Sequence, residues 1–307
     1  MPTESAPPEF LAIGHATRDL LPGGGWRLGG TVVFASLTAA RLGLRAGIVT
    51  AGPPDVLRAL WELAPEIAVA ALPSADATTF KNVYEASGRR RQYLHGRAAP
   101  LTVDAVPEAW RACPLVLLAP LAQEVAPDLA GAFPRALVAA TPQGWLRRWD
   151  ATGLVRPDDW HNAAQVVPHL TALVLSQEDV APPADLALGA APPPRNNDMV
   201  DAWIARWARS VPHVVITKGA AGADLMLGER REHFAAYPAR EVDPTGAGDV
   251  FAAAFLVQLA ATEDPRDAAD FANCAASFAV EGDGVSGIPL LAQVRARLRT
   301  SKRVPLE

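Results

Sequence analysis

The residues best suited to chemistry lie in one short segment, in which two aspartates flank a turn of small residues. The segment reads Asp243-Pro244-Thr245-Gly246-Ala247-Gly248-Asp249, and the apolar, alanine-rich run Val250–Phe255 follows it. Small residues let the backbone approach a ligand, and a helix beginning here aims its free amides and positive dipole end at the same point. We therefore predict an anion hole formed by the backbone amides of Gly246, Ala247, Gly248 and Asp249.

Asp249 lies at the mouth of this predicted hole. A carboxylate there would repel a static phosphate, but it is well placed to accept a proton from an attacking hydroxyl group. Phosphoryl transfer uses both a base for the hydroxyl and an anion hole for the phosphoryl group. The structural alternative is an aspartate and two glycines that only begin a helix. We interpret the segment as catalytic, with Asp249 as the general base.

The composition favours one large domain and a small ligand. The chain has 307 residues, half of them apolar, and a net charge of -5. An acidic surface does not attract nucleic acid or an anionic membrane, and no apolar run is long enough to cross a bilayer. Cys113 and Cys274 lie far apart without metal-ligand spacing, so we expect them to be reduced core residues. The polar N-terminus does not read as an export signal, which favours a cytoplasmic location.

The elements that must position the catalytic segment follow the rhythm of a parallel α/β sheet. Short apolar runs that read as strands alternate with helical or proline-rich connections, and ligands of such sheets gather at the carboxyl ends of the strands. The predicted strands are Phe10–Gly14, Ala46–Thr50, Leu115–Ala119, Leu137–Ala140, Ala172–Leu175 and Val214–Thr217, with a helix over Thr31–Leu42. Segment Thr78–Leu94 alternates in polarity, which predicts a half-exposed hairpin and a lid over about residues 75–97. Pro182–Pro194 reads as a surface connection.

The catalytic segment resembles the C-terminal signature of the ribokinase (PfkB) family of carbohydrate kinases. Val214–Ala223 is similar to the family's strand and turn beside the nucleotide, with Gly219 and Gly222 where backbone passes it, and Gly29-Gly30 resembles the pair that approaches the sugar. The resemblance implies a ribokinase-like three-layer α/β sandwich with a Rossmann-like, mostly parallel central sheet and a small β lid, as a single domain over residues 1–307. It also implies ATP and Mg²⁺, allows a monovalent cation such as K⁺, and includes homodimers formed through the lid.

The resemblance also suggests which acceptor is bound. Asp19 matches the position whose carboxylate holds substrate hydroxyls. Phe34 stands where many sugar kinases of the family have an asparagine, which argues against ribose and fructose-type acceptors and offers an apolar face to a ring. Segments 29–36 and 143–155 look like the branch that contains inositol kinases. We expect a small polyol or sugar, with an inositol-like acceptor favoured.

The donor side departs from the family at Ser176-Gln177-Glu178-Asp179, where Asn-x-x-Glu is common near the magnesium. Asp179 keeps a carboxylate that can act through water, because Mg²⁺ normally retains several waters. Ser176 is a weaker replacement for asparagine. Thr217 and Lys218 are placed along the nucleotide and Asn273 near adenine, the alternatives being a solvated lysine and a helix asparagine bonded to its own backbone.

Four further candidates each have two interpretations. Gln143 either reaches the acceptor or caps its own turn. Arg147 is the arginine we expect to neutralise phosphate, whereas its neighbour Arg148 reads as solvated. Asn82 and Tyr84 on the lid either contact the acceptor from above or form ordinary cross-strand pairs.

These observations predict an ATP-dependent kinase that transfers the γ-phosphoryl group to a hydroxyl of a small polyol or sugar. Two alternatives stay open. A nucleoside kinase on the same fold would stack its base on Phe34 and Trp145. A nucleotide- and polyol-binding regulatory protein with little turnover would explain the departures between Ser176 and Asp179.

Overall fold

The structure is a computed structural model that describes residues 6–84, 90–179 and 204–301. The predicted connection Pro182–Pro194, lid residues 85–89 and the Tyr84 side chain lie outside the described residues. The described strands are β1 Phe10–Ile13, β2 Thr17–Leu20, β3 Trp26–Gly29, β4 Ala46–Gly52, β5 Ala68–Pro73, β6 Thr79–Tyr84, β7 Arg90–Gly96, β8 Leu115–Leu118, β9 Leu137–Ala140, β10 Arg147–Trp149, β11 Val155–Pro157, β12 Ala172–Ser176, β13 His213–Thr217, β14 Ala223–Leu227 and β15 Arg230–Phe234. The described helices are α1 Thr31–Arg41, α2 Pro54–Leu63, α3 Ala163–Val166, α4 204–208, α5 Ala247–Thr262, α6 Pro265–Ala279 and α7 Leu291–Thr300.

Among the described residues, nine strands form one central sheet in the order β15-β14-β13-β12-β9-β8-β1-β4-β5. The strands from β13 to β5 run parallel, and β14 and β15 add an antiparallel edge. Every residue of β1 and β8 is buried, as expected for strands covered on both faces. All six strands predicted from the sequence belong to this sheet, which confirms the mostly parallel α/β architecture.

Helices cover both faces of the sheet and complete a three-layer sandwich. One buried cluster joins α1, α5 and α6, and the other contains Trp145, Trp160 and Trp207. Helix α5 has an unbroken buried stretch from Val250 to Leu256 and packs against α1 and α6. The turn that begins α5 is therefore attached to one of the most firmly buried elements of the fold.

The lid is a second sheet of four strands, in the order β3-β2-β6-β7. Strands β6 and β7 form the antiparallel pair that the sequence indicated, with Asn82 opposite Gln92. The other half was not predicted, because β2 and β3 are only four residues long and are separated by a glycine-rich turn, and β2 joins β6 in parallel after a long crossover. The lid thus also includes β2 and β3, which lie outside the predicted range of about residues 75–97. Asp19, in β2, therefore belongs to the lid.

A small hairpin of β10 and β11 packs beside the lid and was also missed. Asp150 accepts bonds from the amides of Thr152 and Leu154 and so closes the turn between the two strands. Gly153 has its carbonyl bonded to the Leu94 amide of β7 at 2.8 Å, and a Cβ at position 153 would lie 2.3 Å from the Leu94 oxygen. This close contact joins the hairpin, and Arg147 at its start, to the lid.

Both cysteines are free and buried, as predicted. Within the described ranges, every helix is too short or too polar to span a bilayer.

Candidate active site

The segment 243–249, here called the catalytic turn, forms a tight turn that ends at Gly246 and continues into the first three residues of α5. Gly246 is the residue before the helix and has a left-handed backbone, φ 80°. A Cβ at this position would lie only 2.2 Å from a ring atom of Phe34, so steric contact as well as backbone conformation requires glycine. The catalytic turn is therefore held between its own helix and α1.

The amides at the start of α5 are not equivalent. The Ala247 amide donates to the Pro244 carbonyl at 3.3 Å, which removes it from the predicted anion hole. The first intrahelical bond then runs from Val250 to Gly246, so the amides of Gly248 and Asp249 are among those that a helix start leaves without an intrahelical partner. A Cβ on Gly248 would meet no heavy atom within 4 Å. The predicted anion hole therefore loses the Ala247 amide and keeps those of Gly248 and Asp249, with open space beside Gly248.

Asp249 is half-buried in the first turn of α5 and accepts a hydrogen bond from Thr31 Oγ1 at 2.8 Å. Burial raises the pKa of Asp249 to about 7, although the hydrogen bond from Thr31 and the charge of Arg147 lower it. The nearby carboxylates of Asp179 and Asp19 raise it further. A carboxyl group with this pKa exchanges its proton near neutral pH, which suits a general base.

Asp179 follows β12 and is fixed by two hydrogen bonds. Gln143 Nε2 donates to Asp179 Oδ1 at 3.0 Å, and the Ser176 amide donates to Oδ2 at 2.9 Å. The Ser176 hydroxyl accepts the Glu178 amide at 3.1 Å and so caps the same turn. The Gln143 side chain therefore orients the Asp179 carboxylate instead of capping its own turn. The charge of Asp179 in turn raises the pKa of Asp249.

Arg147 begins β10 and lies close enough to Asp249 to influence its pKa. Its backbone carbonyl accepts a hydrogen bond from Gln123 Nε2 at 2.5 Å. Gln123 itself has a left-handed backbone, φ 58°, which is uncommon for a residue other than glycine. The turn after β8 thus fixes the start of the hairpin that brings Arg147 to the site.

A cleft of about 490 Å³ opens between the lid, α1 and α2, and we call it the acceptor cleft. Its lining is made of lid residues, helix residues and the loop after α6: Asp19, Arg27, Leu28, Gly29, Phe34, Ala59, Glu62, Leu63, Thr245, Asp283, Gly284 and Val285. Asp19 Oδ1 accepts a hydrogen bond from Thr17 Oγ1 at 3.0 Å. Burial raises the pKa of Asp19, although this hydrogen bond lowers it. A Cβ on Gly29 would lie 2.3 Å from Asp19 Oδ2, and one on Gly30 would lie 2.4 Å from the His15 oxygen. The glycine pair thus leaves room for the Asp19 carboxylate of β2 and for the backbone between β1 and β2.

Two predicted acceptor contacts have other roles in the structure. Phe34 reaches the wall of the acceptor cleft, but only 4% of its surface is exposed and its ring lies against Gly246. Asn82 accepts from Gln92 Nε2 at 3.1 Å, which is the ordinary cross-strand pair. Phe34 therefore supports the catalytic turn more than it offers a face to a ligand.

The side predicted to bind the nucleotide, here called the donor half, consists of residues 217–222 and Asn273. It has the predicted strand and turn, but its polar side chains are bonded within the protein. Lys218 forms an ion pair with the buried Asp224. Thr217 Oγ1 donates to the Leu175 carbonyl at 3.4 Å. Gly219 begins the short turn, and Gly222, with φ 92°, ends it where a Cβ would lie 2.1 Å from the Phe234 oxygen. Backbone, rather than long side chains, faces outward here.

Asn273 and Trp145 are interior residues. Asn273 is 7% exposed and donates to the Phe234 carbonyl at 3.0 Å, so it holds α6 to β15 instead of reaching a ligand. Trp145 is 4% exposed, stacks on Trp160 and donates its indole N–H to the Val125 carbonyl at 2.9 Å. A base-stacking role for Trp145 is wrong, because its ring faces are enclosed on the other side of the sheet.

Sequence reasoning missed three polar residues of the site: Thr17, Arg27 and Thr31. Thr31 directly follows the glycine pair, so its position at the start of α1 was a usable signal. Thr17 and Arg27 gave no signal, since their importance depends on the unrecognised strands β2 and β3.

Comparison with known proteins finds relatives of this chain among carbohydrate kinases. Residues 155–291 match the model for pfkB family carbohydrate kinases. A segment of 72 residues is 43% identical to the ribokinase of Bacillus subtilis (strain 168), covering 24% of this chain and 25% of that enzyme. The chain thus matches about a quarter of the length of that curated relative.

Solved structures match over nearly the whole chain. A pyrophosphate-dependent kinase in the ribokinase family, complexed with a pyrophosphate analog and myo-inositol, has a TM-score of 0.71 at 21% identity, covering 94% of this chain and 99% of that one. Arabidopsis thaliana ribokinase complexed with ribose and ATP has a TM-score of 0.70 at 17% identity, covering 96% and 100%. The chain has the ribokinase-like fold, and its residues 155–291 match the model of the pfkB family carbohydrate kinases.

Proposed function

We propose that this protein is an ATP-dependent kinase that transfers the γ-phosphoryl group to a hydroxyl of a small polyol or sugar, with an inositol-like acceptor favoured. The observation that carries the proposal is Asp249, whose pKa is raised to about 7 at the mouth of a turn with exposed helix-start amides. A base and an anion-binding turn are the two parts that phosphoryl transfer requires from the protein.

In the proposed reaction, the acceptor occupies the cleft under the lid, with Asp19 accepting bonds from its hydroxyls. Thr31 orients the Asp249 carboxylate, which takes the proton of the attacking hydroxyl as its oxygen bonds to the γ-phosphorus and the bond to the leaving diphosphate breaks. The amides of Gly248 and Asp249 stabilise the transferred group's charge, a contribution worth ~10²- to 10³-fold per donor in comparable anion holes. The lid excludes water that would compete as acceptor.

The residues present also fit Mg²⁺. No cluster of three or more histidine, cysteine or acidic residues that could hold a metal occurs in the part of the chain that the structure describes. Nucleotide-bound magnesium does not need one, because it is held by phosphates, waters and one or two carboxylates. Asp179, fixed by Gln143 and Ser176, is the carboxylate we assign to it. Magnesium bound there would neutralise charge on the donor phosphates.

The phosphoryl donor has two candidates. The Gly219–Gly222 turn and the similarity to ATP-binding ribokinase support ATP. Pyrophosphate is the second candidate, because a structural neighbour is described as pyrophosphate-dependent and because Lys218 and Asn273 are both bonded within the protein. A donor held mainly by its phosphates would need few side chains on this side.

The other readings have less support. A nucleoside kinase would require aromatic platforms, but Phe34 and Trp145 are both packed inside the protein. A regulatory protein without turnover would not require a base at the catalytic turn. A cytoplasmic location, a homodimer formed through the lid and dependence on K⁺ belong to the same proposal and stay predictions.

The test is product release by the purified protein with Mg²⁺ and either ATP or pyrophosphate, against myo-inositol, other polyols, hexoses, pentoses and nucleosides. We expect acceptor-dependent release of ADP with the polyols. Asp249→Asn should bind ATP normally and turn over roughly 10²- to 10⁴-fold more slowly, the usual contribution of a general base. An unchanged rate in this variant would show that Asp249 is not the base. Acceptor-dependent release of phosphate from pyrophosphate, with no release of ADP from ATP, would show that pyrophosphate is the donor.

A further inference from the structure

Arg27 occupies a position that joins the lid to the catalytic turn. It lies in β3 directly opposite Asp19 of β2. Opposed residues of an antiparallel pair point to the same face, so both side chains are directed from the lid into the acceptor cleft, whose wall they share. The charge of Arg27 is close enough to lower the pKa of Asp19.

The guanidinium group of Arg27 reaches across the cleft to the catalytic turn. Nη1 donates to Asp243 Oδ2 at 3.2 Å, and Nη2 donates to Thr245 Oγ1 at 3.1 Å. Nη1 also lies 3.7 Å from Asp283 Oδ1 in the loop after α6. One rigid, planar group thus holds two residues of the catalytic turn at a fixed separation, which a lysine could not do.

Asp243 is the residue that shapes the turn. Its Oδ1 accepts the Thr245 amide at 2.9 Å, and its Oδ2 accepts the Gly284 amide at 3.4 Å. Burial opposes ionisation of Asp243, but hydrogen bonds from Thr245 and the charge of Arg27 hold its pKa below the usual range. Arg27 therefore contacts the carboxylate that orders the chain immediately before Gly246.

A second arginine of the lid provides a natural comparison. Arg18 of β2 forms an ion pair with Asp55 of α2 and lies over the Trp26 ring at 5.2 Å from its centroid. This pair also ties the lid to the main domain, but it does not involve the catalytic turn. Arg18 therefore attaches the lid to α2 only, whereas Arg27 attaches it to the catalytic turn, so variants of the two arginines distinguish the two attachments.

We propose that Arg27 is a positioning residue that latches the closed lid onto the catalytic turn, so that enclosure of the acceptor and the anion-binding geometry form together. The inference rests on the proposed kinase function and adds to it a residue outside the recognised signature. Asp19 holds the acceptor and Arg27, its cross-strand neighbour, holds the turn that carries Asp249. Closure of this lid face then positions the acceptor and the catalytic turn at the same time.

The test compares Arg27→Met with Arg18→Met in steady-state kinetics. We expect Arg27→Met to lower kcat/KM for the acceptor about 10- to 100-fold, since small displacements of reacting groups are costly, and to leave the KM for the donor unchanged. Arg18→Met should reduce the same ratio by less than about threefold, as for an exposed ion pair. Arg27→Lys should recover part of the loss, because one ammonium reaches one of the two partners. Equal losses in the two methionine variants would overturn the latch.

Amide hydrogen exchange gives a second readout that does not depend on turnover. The amides of Thr245 and Gly284 both donate to Asp243 and report directly on the turn. We expect them to exchange about fivefold faster in Arg27→Met than in the unaltered protein, and unchanged in Arg18→Met. If the unaltered protein transfers no phosphoryl group, the proposed function fails and exchange decides the latch alone: faster exchange supports it, and equal exchange in the two variants overturns it.

Discussion

Around Asp19 and Asp249, here called the catalytic half of the site, polar side chains contact one another, whereas in the donor half most of them contact the rest of the protein. Thr31 donates a hydrogen bond to Asp249, and Thr17 donates one to Asp19, so each carboxylate is oriented by a neighbour. Asp179, the carboxylate assigned to magnesium, is the exception on the donor side, because Gln143 orients it in the same way.

The donor half has the opposite arrangement. Lys218 is paired with Asp224, which Arg231 and His233 also contact. Asn273 is bonded to the Phe234 carbonyl in the interior. What remains for a ligand is mainly backbone at the Gly219–Gly222 turn.

Under the proposed function, this difference means that the two substrates are recognised by different means. Side chains with fixed orientation would select and activate the acceptor, while backbone groups, with magnesium at Asp179, would hold the donor. Substitutions should therefore have large effects in the catalytic half and small effects in the donor half.

Apart from the loss of the base in Asp249→Asn, the largest effect is expected at Gly246. In Gly246→Ala, the new methyl group would overlap the Phe34 ring, and the residue would keep a left-handed backbone. We expect turnover to fall about 10²-fold because the catalytic turn must shift. The free energy of unfolding should fall by about 2 to 4 kcal/mol. Kinetics and thermal unfolding measure the two effects.

Gly43→Ala is the matched control, because Gly43 also has a positive φ, 102°, but its Cβ would meet no heavy atom within 4 Å. It should lose about 1 to 2 kcal/mol of stability from backbone strain and keep full turnover. Equal behaviour of the two variants would show that contact with Phe34 is unimportant.

An intermediate effect is expected at Thr31. Thr31→Val removes the hydrogen bond that lowers the pKa of Asp249, so that pKa should rise further above 7. More of Asp249 would then be protonated at neutral pH, and we expect about a tenfold loss of turnover at pH 7 that shrinks as the pH is raised. The measurement is turnover between pH 6 and pH 9.

Thr38→Val serves as control for the same helix, since Thr38 Oγ1 donates to the Phe34 carbonyl at 2.7 Å, away from Asp249. Its pH profile should match that of the unaltered protein. A parallel loss at every pH in Thr31→Val would argue for a packing defect instead of a pKa change.

The smallest effect is expected at Lys218. Because its charge is already paired with Asp224, Lys218→Met should change the KM for ATP by less than about threefold. Steady-state titration with ATP gives the value. A rise of about 100-fold, about 2.7 kcal/mol, would mean that Lys218 leaves Asp224 to bind phosphate, and the contrast between the two halves would fail.

Much of the fold could be predicted from the sequence, because buried parallel strands such as β8 are continuous apolar runs. The catalytic turn was also readable, since its small residues and the apolar helix behind it are contiguous. The lid was only half predicted. Its β2 and β3 strands have only four residues each, too few for a clear pattern, and the pairing of β2 with β6 depends on residues about sixty positions apart.

Side-chain partners were the least predictable part of the site. Lys218 and Asn273 have types that suit a nucleotide, but their actual partners, Asp224 and the Phe234 carbonyl, are set by strand pairing and helix packing. Phe34 likewise lines the cleft as expected, while its contact with Gly246 required the crossing of α1 and α5. Local spacing cannot supply such long-range contacts.

The central claim, that Asp249 accepts the proton of the attacking hydroxyl, is tested most directly by the pH dependence of kcat/KM for the acceptor at saturating donor and Mg²⁺. The pKa of Asp249 is raised to about 7, so the carboxyl group is protonated, and unable to accept a proton, below that pH. We predict a rate that increases with pH through a midpoint near 7 and levels off above it. A rate that is independent of pH between 5 and 8 would contradict the assignment.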